Sequence, residues 1–347
     1  MTVHDLVVIG GGPAGLASAI EARMHGLDVC IIERRLGAID KACGEGLMPG
    51  AVVMLNRLGV QPNGHHLVGV TYQDERSSVS HRFRHGVGMG VRRTELSFAL
   101  RNRAEQLGVQ FVHDSLVALE QDDARVIAEC SHGERIAAKH LIGADGLHST
   151  VAKLVGLQRN THSSRARRYG IRQHFALKPW SDFIEVTYTD TAEVYITPVS
   201  NTEVGVAVLG PRATGFEETL SNVPVLAQRL QGAAPSSERA GAGPFARATS
   251  ARTRGRVLLV GDASGYVDAI TGEGLRLGFA QAHAALNSIV AGNTPAYERE
   301  WRRVSRDFRV LTKGLTALAS SPLSNTIVPL AQSMPGLFGT IVDRLAR

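Results

Sequence analysis

Three glycines near the amino terminus have the spacing of a phosphate-binding turn. Gly10, Gly12 and Gly15 form the pattern G-x-G-x-x-G directly after an apolar run at residues 6–9. The first glycine permits a tight turn, the second lets a pyrophosphate approach backbone amides, and the third lets a helix pack closely on a strand. Pro13 suits the first turn of that helix, whose free N–H groups attract anions. The pattern predicts a dinucleotide site rather than a fortuitous glycine loop.

An acidic residue completes this unit. Glu33 directly follows a second apolar run at residues 29–32, where a carboxylate can accept the hydroxyl protons of a ribose. Strand, turn, helix, strand and acid therefore occur in the order that dinucleotide binding requires. This first motif does not separate FAD from NAD.

A second glycine-rich segment lies in the carboxyl-terminal half and favours FAD. The apolar run at residues 257–260 ends in Gly261-Asp262, and Gly272 and Gly274 lead into a long helical pattern. An aspartate at a strand end can bind polyol hydroxyls, and a helix amino terminus stabilises negative charge that develops on a reduced ring. A ribityl chain and an isoalloxazine have these needs. In the alternative interpretation, Asp262 only caps the following turn.

Hydrophobic periodicity predicts the elements that must position these motifs. Continuous apolar runs at residues 6–9 and 29–32 are typical of strands buried in a parallel sheet. Alternation from about residue 165 to 209 indicates strands in series, and hence an antiparallel sheet. Helices are predicted at 16–25, 50–58, 93–107, 217–230 and 273–290, and further strands at 68–83, 109–130, 140–142 and 257–260.

The predicted fold class is α/β with an α+β insertion. It comprises a Rossmann-type domain built on the βαβ unit, an antiparallel-sheet substrate domain and a C-terminal helical segment. The length of 347 residues suits about two domains. We assign 1–70, 91–160 and 250–292 to the dinucleotide-binding domain, 71–90 and 161–249 to the substrate domain, and 293–347 to the helical segment.

A third motif, Gly143-Ala144-Asp145-Gly146-x-x-Ser149, follows the run at 140–142. With all three motifs in order, the sequence resembles the superfamily of FAD-dependent oxidoreductases that contains para-hydroxybenzoate hydroxylase and geranylgeranyl reductase. The segments CGEGLMP at 43–49 and DAITGEG at 268–274 are closer to the geranylgeranyl reductase branch. The resemblance covers residues 1–292 and implies FAD as the cofactor.

The resemblance also implies roles for individual residues. Arg93 would contact FAD from the start of a helix, unless it is a surface arginine. Asp145 would organise the loop near the pyrophosphate and a visiting nicotinamide nucleotide, unless it is a structural turn residue. The full cofactor-binding set is Gly10, Gly12, Pro13, Ala14, Gly15, Glu33, Arg34, Arg93, Asp145, Gly261, Asp262, Gly272 and Gly274.

Cys43 and Glu45 are the candidate catalytic residues. In the reductase branch the matching segment lies near the flavin, so either residue is a candidate proton donor, and Cys43 also a candidate substrate contact. The alternatives are a small packing residue for Cys43 and a loop surface charge for Glu45. The thirteen histidines show no metal-ligand spacing, so no metal is expected, and His65-His66 is interpreted as a loop pair.

The sequence departs from its relatives near the expected substrate. Glu193, Tyr195 and Thr197 stand where the reductase branch has Tyr-x-Trp-x-Phe. A flavin halogenase would carry Trp-x-Trp-x-Ile-Pro, whereas the only tryptophans are Trp180 and Trp301. These departures weaken the reductase interpretation and disfavour halogenation.

Composition and charge limit the classes of partner that this protein is expected to bind. The net charge is +6, but the basic residues are scattered. Arg165, Arg167, Arg168 and Arg172 are interpreted as a solvated basic face, so no nucleic acid is expected.

Three cysteines without CxxC spacing and the absence of a leader or membrane-spanning pattern predict a cytoplasmic protein. The apolar segment 311–345 is interpreted as core, with peripheral contact to a membrane surface as the alternative. The oligomeric state is not predicted.

These features predict an FAD oxidoreductase acting on a hydrophobic small molecule that lies between the flavin and the antiparallel sheet. NADH or NADPH would be a transient reductant, and an electron-transfer protein is the alternative donor. The favoured reaction is monooxygenation of an aromatic or polyketide-like compound through a flavin C4a-hydroperoxide. The alternatives are ene-reduction or dehydrogenation of an isoprenoid, and a flavin-binding protein without turnover.

Overall fold

The computed structural model describes residues 3–159 and 167–347, and its elements are numbered here in chain order. A first sheet has the order β20-β21-β11-β1-β2-β8, with the hairpin β9-β10 paired to β11. Its strands are β1 Val3–Ile9, β2 Val29–Ile32, β8 Gln110–Val112, β9 Leu116–Gln121, β10 Val126–Cys130, β11 Arg135–Gly143, β20 Thr253–Arg254 and β21 Val257–Leu259.

The centre of this sheet is parallel and covered on both faces. Strand β1 pairs in parallel with both β2 and β11, and β11 pairs in parallel with β21. Leu6 and Val8 pack into one core cluster and Val7 and Ile9 into another on the opposite face. Burial on both faces explains why these strands are continuous apolar runs. The predicted βαβ unit is confirmed, and the strand predicted at 140–142 is the end of the longer β11.

Helices connect the strands. They are α1 Pro13–Met24, α2 Pro49–Arg57, α3 Arg93–Gln106, α4 Thr150–Leu154, α5 Phe216–Ser221, α6 Pro224–Leu230, α7 Gly274–Val290, α8 Tyr297–Ala319, α9 Ile327–Ser333 and α10 Pro335–Ala346, with 3-10 turns at Gly261–Ser264, Thr294–Ala296 and Ser324–Thr326. Of these helices, α1, α3 and α7 pack on the first sheet. The single helix predicted at 217–230 is wrong. Two helices occur there, because Pro224 begins a new first turn after the break at Asn222 and Val223.

A second sheet has the order β17-β13-β16-β15-β14-β5-β6, with β18 also paired to β13. Its strands are β5 Gly69–Gln73, β6 Ser78–Arg82, β13 Arg168–Ala176, β14 Phe183–Tyr188, β15 Glu193–Ser200, β16 Glu203–Pro211, β17 Ala234–Pro235 and β18 Ala240–Ala242. The predicted antiparallel sheet is confirmed except at one pair, since β14 and β5 run in parallel.

Two small sheets complete the strands. One contains β3 Gly46–Leu47, β7 Gly88–Gly90 and β4 His65–Leu67, and the other pairs β12 Gln158–Arg159 with β19 Ala248–Thr249. The interpretation of His65-His66 as a loop pair is therefore wrong, because both residues belong to β4. The observed class is the predicted α/β fold with an inserted sheet, whereas the residue boundaries of the two domains stay a prediction.

The C-terminal helices pack mainly on the edge of the second sheet. Ile327 of α9 and Phe338 and Val342 of α10 belong to one buried cluster with Val70 and Val79 of β5 and β6. This part of segment 311–345 is core, as predicted. Within the described residues, the helices are too short or too polar to cross a membrane.

Candidate functional site

The glycine-rich turn after β1 has the shape that its sequence predicts. Gly10 has φ +104°, and a Cβ there would lie 2.7 Å from the carbonyl oxygen of Ala144, so the turn requires glycine. A Cβ at Gly15 would overlap the Gly10 carbonyl, which shows that α1 approaches β1 closely. A Cβ at Gly12 would meet nothing within 4 Å. The turn therefore has one open side, where an anion can reach the amino terminus of α1.

The predicted ribose-binding acid lies beside this turn. Glu33 is buried, and its Oε2 accepts the Gly11 N–H at 2.8 Å. Its Oε1 accepts both the backbone N–H and the Nε–H of Arg35, each at 2.9 Å. Burial raises the pKa of Glu33, but the bonds from Arg35 and Gly11 outweigh that effect and lower it. The carboxylate is ionised at the edge of the open turn, while Arg34 is exposed.

The second motif packs directly against the first. Gly261 has φ +59°, and a Cβ there would lie 3.0 Å from the Cβ of Ala14. The neighbouring carboxylate of Asp262 accepts a hydrogen bond from Lys41 Nζ at 3.0 Å and stays partly exposed. Asp262 lies inside the 3-10 turn Gly261–Ser264, whose N-cap residue is Val260. The structure brings Ala14, Gly261 and Asp262 to one cleft, together with Lys41, which the sequence did not reveal.

The third motif lies beside the same turn. Asp145 Oδ2 accepts the Val151 N–H at 3.0 Å, and burial raises the pKa of Asp145. Asp145 Oδ1 is buried and has no hydrogen-bond partner within residues 3–159 and 167–347. Asp145 thus supports the start of α4, in line with a structural turn residue, and keeps one oxygen free for a ligand.

The loop before α7 forms the far wall of the cleft. Asp268 Oδ1 accepts the Ile270 N–H at 3.0 Å, and Gly272 has φ +69° with open space where a Cβ would lie. Helix α7 begins at Gly274. A Cβ on Gly274 would lie 3.5 Å from the ring of Tyr266, so the start of the helix faces that ring. Glu273 is fully buried and paired with Arg276, and burial raises its pKa to about 7.

Arg93 is buried, so its interpretation as a surface arginine is wrong. Only 9% of its surface is exposed, and its Nε has no hydrogen-bond partner among the described residues. Its backbone N–H donates to Glu45 Oε1 at 2.8 Å. An unpartnered buried guanidinium nitrogen is costly unless a ligand completes it. This observation fits the cofactor contact that the sequence predicts.

One face of the second sheet carries polar residues toward the cleft. The register places Arg172 of β13, Ala207 of β16 and Tyr195 of β15 in one row across the sheet. The next row on the same face holds His174, Gly205 and Thr197, because side chains alternate with a period of two. We call the polar members of this surface, together with Arg168 and Glu193, the sheet-face network.

Glu45 joins this network, which corrects its interpretation as a loop surface charge. It is 2% exposed and has φ +60°, a conformation that costs a residue with a side chain roughly 1–2 kcal/mol. Its Oε2 lies 2.5 Å from His174 Nε2, and a Cβ on Gly205 would lie 3.1 Å from that oxygen. Thr197 Oγ1 donates to the carbonyl of Gly44 at 2.8 Å. Glu45 therefore fastens its loop to the sheet.

Cys43 lies two residues before Glu45 at the same loop. It is partly exposed, and its Sγ accepts the Glu45 N–H at 3.4 Å. The side chain of Tyr266, which faces Gly274, is buried, and burial raises its pKa. The role of Cys43 as a proton donor or substrate contact stays a prediction.

Two of the four arginines interpreted as a solvated face are buried ion-pair partners instead. Arg168 pairs with Glu193 and lies 3.6 Å from Asp268 Oδ2. Arg172 is 1% exposed and pairs with Asp40. Arg167 is exposed, and Arg165 lies outside the described residues. The interpretation fails at Arg168 and Arg172 because their carboxylate partners come from distant parts of the chain.

The Arg168–Glu193–Asp268 group has two carboxylates and one guanidinium. Burial raises the pKa of Glu193 to about 7, against the opposing attraction of Arg168, and burial also raises the pKa of Asp268. Two buried carboxylates near one cation cannot both ionise freely. The group can therefore take up or release one proton near neutral pH.

An apolar cluster lies next to this group, since it includes Ile270 and Tyr195, which are two residues from Asp268 and Glu193, respectively. Its buried members are Leu147, Leu209, Phe245 and Ile270, and Tyr195, Tyr266, Leu315 and Ala319 pack against them. Tyr195 donates its hydroxyl to the carbonyl of Ile270 at 2.8 Å, and the rings of Phe245 and Tyr266 are 5.8 Å apart. An aromatic, water-poor region therefore borders both the Asp268–Gly274 loop and the carboxylate pair.

The arrangement defines a dinucleotide-binding flavoprotein, and the comparisons agree. The sequence pattern of the FAD binding domain family matches residues 3–294, and the chain belongs to that family. It is 28% identical to menaquinone reductase from Mycolicibacterium smegmatis, over 86% of this chain and 80% of that protein. It is 24% identical to rifampicin monooxygenase from Rhodococcus hoagii, over 92% of this chain and 72% of that protein.

Solved structures share the fold. A flavoprotein/dehydrogenase from Cytophaga hutchinsonii matches with a TM-score of 0.85 at 19% identity, over 99% of this chain and 92% of the other. The flavin-dependent brominase Bmp2 matches with a TM-score of 0.83 at 18% identity, over 99% and 94%. At these identities the likeness concerns architecture alone.

Sequence reasoning missed the residues of the sheet-face network as functional candidates. Arg172 and His174 occupy alternate positions of β13, and Glu193 and Tyr195 alternate positions of β15. Polar residues with a period of two inside a strand that is otherwise buried were the available signal. Lys41 had no such signal, since it lies in an irregular loop.

Proposed function

We propose that this flavoprotein is an NADH- or NADPH-dependent monooxygenase that hydroxylates a hydrophobic aromatic compound, most simply a phenol. The observation that carries the proposal is the apolar, aromatic cluster around Phe245 and Tyr266, bordered by the Arg168–Glu193–Asp268 group. In our proposal an aromatic ring lies against this apolar cluster, and the adjacent carboxylate pair accepts the proton of its hydroxyl group.

FAD fits the cleft that the glycine motifs form. In our proposal the open side at Gly12 admits the pyrophosphate, Glu33 accepts hydrogen bonds from the adenosine ribose, and Asp262 binds the ribityl hydroxyls. Pro13, Ala14, Gly10 and Gly15 shape the turn, and Arg34 and Asp145 border it. Arg93, whose buried Nε has no hydrogen-bond partner among the described residues, would contact the cofactor. Gly272, Gly274 and the start of α7 would hold the flavin ring. When bound and reduced by a nicotinamide nucleotide, FAD supplies the electrons that activate oxygen.

The residues of this chain position the substrate and handle its proton. The phenol ring packs between Tyr195, Phe245 and Ile270, and its hydroxyl points toward Glu193. Ionisation of the hydroxyl makes the ring electron-rich, and the Glu193 carboxylate takes that proton. One substrate, one O2, one NADH or NADPH and one proton give the hydroxylated product, water and the oxidised nucleotide. The apolar cluster keeps water out, which limits wasteful loss of reducing equivalents.

Ene-reduction is the second candidate, and the Cys43 loop together with the menaquinone reductase relative favours it. In that reaction the partly exposed thiol of Cys43 would give its proton to one carbon of a double bond after hydride addition at the other. Glu45 accepts the Arg93 N–H with Oε1 and contacts His174 with Oε2, so in our proposal Glu45 holds the loop and Cys43 supplies the proton.

One experiment separates the candidates. Purified protein loaded with FAD is mixed with NADH or NADPH and either an alkylphenol or a polyprenyl quinone, under 18O-labelled oxygen or under argon. Incorporation of one labelled oxygen atom into the phenol, with matching nucleotide consumption, supports the monooxygenase. Saturation of a polyprenyl double bond under argon contradicts it and supports the reductase. A bound flavin that neither nucleotide reduces indicates a different electron donor or a protein without turnover.

A further inference from the structure

The strongest unassigned surface is the corner between α9 and α10. No charged residue occurs from Gly314 to Val342, although one residue in five of the chain is charged. Within that stretch Leu330, Met334 and Leu337 are 41–53% exposed, and the residues between Met334 and Leu337 are exposed as well. We call residues 330–337 the apolar corner. An exposed apolar patch of this kind marks a surface that contacts an apolar phase or a partner.

Helix α10 joins this corner to a basic cavity. Leu337, Thr340, Arg344 and Arg347 are exposed at spacings of three or four residues, which places them on one face of the helix. The opposite face, with Phe338 and Val342, is buried. The exposed face therefore changes from apolar to basic between Leu337 and Arg344, a distance of about 10 Å along the helix axis.

The basic end borders a cavity of about 530 Å³. Its charged lining consists of Arg84, His85, Arg276, Arg303, Asp307, Asp343, Arg344 and Arg347. Five guanidinium groups therefore face two carboxylates in the lining, and Arg276 and Arg303 also pair with Glu273 and Glu300. Arg344 pairs with Asp307 at 2.8 Å and Arg84 with the buried Asp343 at 3.2 Å, and Arg347 lies 3.3 Å from His85. The Arg344–Asp307 pair is exposed on both sides and exposed pairs are weak, so a phosphate group can compete for Arg344 and Arg347.

We propose that the apolar corner and the arginine-lined cavity together dock this protein on an anionic phospholipid membrane. Leu330, Met334 and Leu337 insert into the lipid surface, and the arginines of α10 bind headgroup phosphates. Leu337 and Arg344 lie on the same exposed face of α10, so the apolar and basic parts can contact one membrane surface together. Neither part depends on whether the enzyme hydroxylates or reduces its substrate.

The geometry also links the membrane to the apolar cluster near the FAD cleft. Leu315 and Ala319 at the end of α8 pack in that cluster, and the uncharged stretch to the apolar corner follows directly. A hydrophobic substrate dissolved in the bilayer would thus meet the protein on the side where its C-terminal helices cover the second sheet. This link rests on the proposed function, whereas the docking does not.

Sedimentation with vesicles tests the docking. The full chain loaded with FAD is incubated with vesicles of phosphatidylcholine, with or without phosphatidylglycerol, at low and high salt. We expect binding to the anionic vesicles that weakens with salt. Leu330→Ser/Leu337→Ser should lower the binding at least about tenfold, since each leucine loses apolar burial. Arg344→Gln/Arg347→Gln should remove the preference for phosphatidylglycerol.

Matched controls keep the test specific. Phe98→Ser/Val225→Ser changes two side chains of similar exposure on α3 and α6, and Arg125→Gln/Arg135→Gln changes two exposed, paired arginines of the β9–β11 region. Neither should alter vesicle binding. Binding that is absent, or that the leucine pair leaves unchanged, overturns the proposal.

Two further outcomes also contradict docking and identify another occupant. Without vesicle binding, retention of inorganic phosphate that Arg344→Gln/Arg347→Gln abolishes would make the cavity a site for a free anion. Without vesicle binding, a dimer in sedimentation velocity that Leu330→Ser/Leu337→Ser dissociates would make the corner an interface between two copies.

Discussion

Adding one methyl group to Gly10 or to Gly12, which belong to the same turn, should have different effects on folding and on ligand binding. Gly10 has φ +104°, and its Cβ would lie 2.7 Å from the Ala144 oxygen and 2.9 Å from the Ala144 carbonyl carbon. Gly12 has φ −73° and ψ 172°, and its Cβ would point into open space. Gly10→Ala should therefore damage the fold, whereas Gly12→Ala should leave the fold intact and obstruct the ligand.

The structure gives the size of each effect. In Gly10→Ala, the left-handed backbone costs about 1–2 kcal/mol and the overlap with rigid backbone about 1–3 kcal/mol. For a chain of 347 residues, a loss of about 3 kcal/mol lowers the Tm by roughly 4 °C. Gly12→Ala should change the stability of the protein without FAD by less than about 1 kcal/mol. Its methyl group occupies the approach of the pyrophosphate, so the Kd for FAD should rise at least about tenfold.

Both quantities are measurable on the same samples. Thermal unfolding of the protein stripped of FAD gives the stability of each variant, and quenching of flavin fluorescence on rebinding gives the Kd. Gly26→Ala is the control for backbone strain alone, since Gly26 has φ +77° but open space around its Cβ. If Gly12→Ala binds FAD as tightly as the parent protein, the pyrophosphate does not lie over this turn, and the proposed cofactor placement is refuted.

The remaining predictions concern the other parts of the cleft. Asp262→Ala should raise the Kd for FAD about tenfold or more, whereas Lys41→Ala should not, and equal affinity in the Asp262 variant would remove our ribityl contact. The native protein should lose stability as the pH rises from about 4.5 to about 7, because burial raises the pKa of Glu193 from 4.5 to about 7 and the folded state then holds the extra proton. Glu193→Gln should reduce that slope in a pH series of urea unfolding without removing it, because burial also raises the pKa of Glu273 to about 7; an unchanged slope would mean that Glu193 does not hold the proton. Cys43→Ser should keep normal hydroxylation, measured as hydroxylated product formed; a large loss of hydroxylation would contradict the assignment of the proton to Glu193.

The sequence predicted the dinucleotide turn well because its signals are local. Gly10, Gly12 and Gly15 lie within six residues, and the apolar runs on either side are buried on both faces of one sheet. Backbone conformation and close packing act over this short range, so residue type and spacing determine them. The two-helix region at 216–230 shows the same rule, since Pro224 was a local signal for the break that the prediction overlooked.

The sheet-face network could not be predicted in the same way. Arg168 and Arg172 are charged residues of a strand, and a charged residue is usually solvated. Their burial depends on Glu193 in β15 and on Asp40 in the loop after β2. Nothing near β13 in the sequence identifies either partner. The burial of an ion pair depends on a tertiary contact, and only the assembled sheet supplies it.

The two candidate reactions differ in what they require from the loop that carries Cys43. Glu45 accepts the Arg93 N–H with Oε1 and contacts His174 with Oε2, so neither oxygen is free to exchange a proton with a substrate. The energy that its left-handed backbone costs is compensated by these same contacts. A rigid loop serves both reactions, since both need a fixed wall beside the cofactor. Hydroxylation moves its proton at Glu193 on the sheet side, whereas ene-reduction needs Cys43 on the loop side. The side of the cleft on which a substitution abolishes turnover therefore decides between the two.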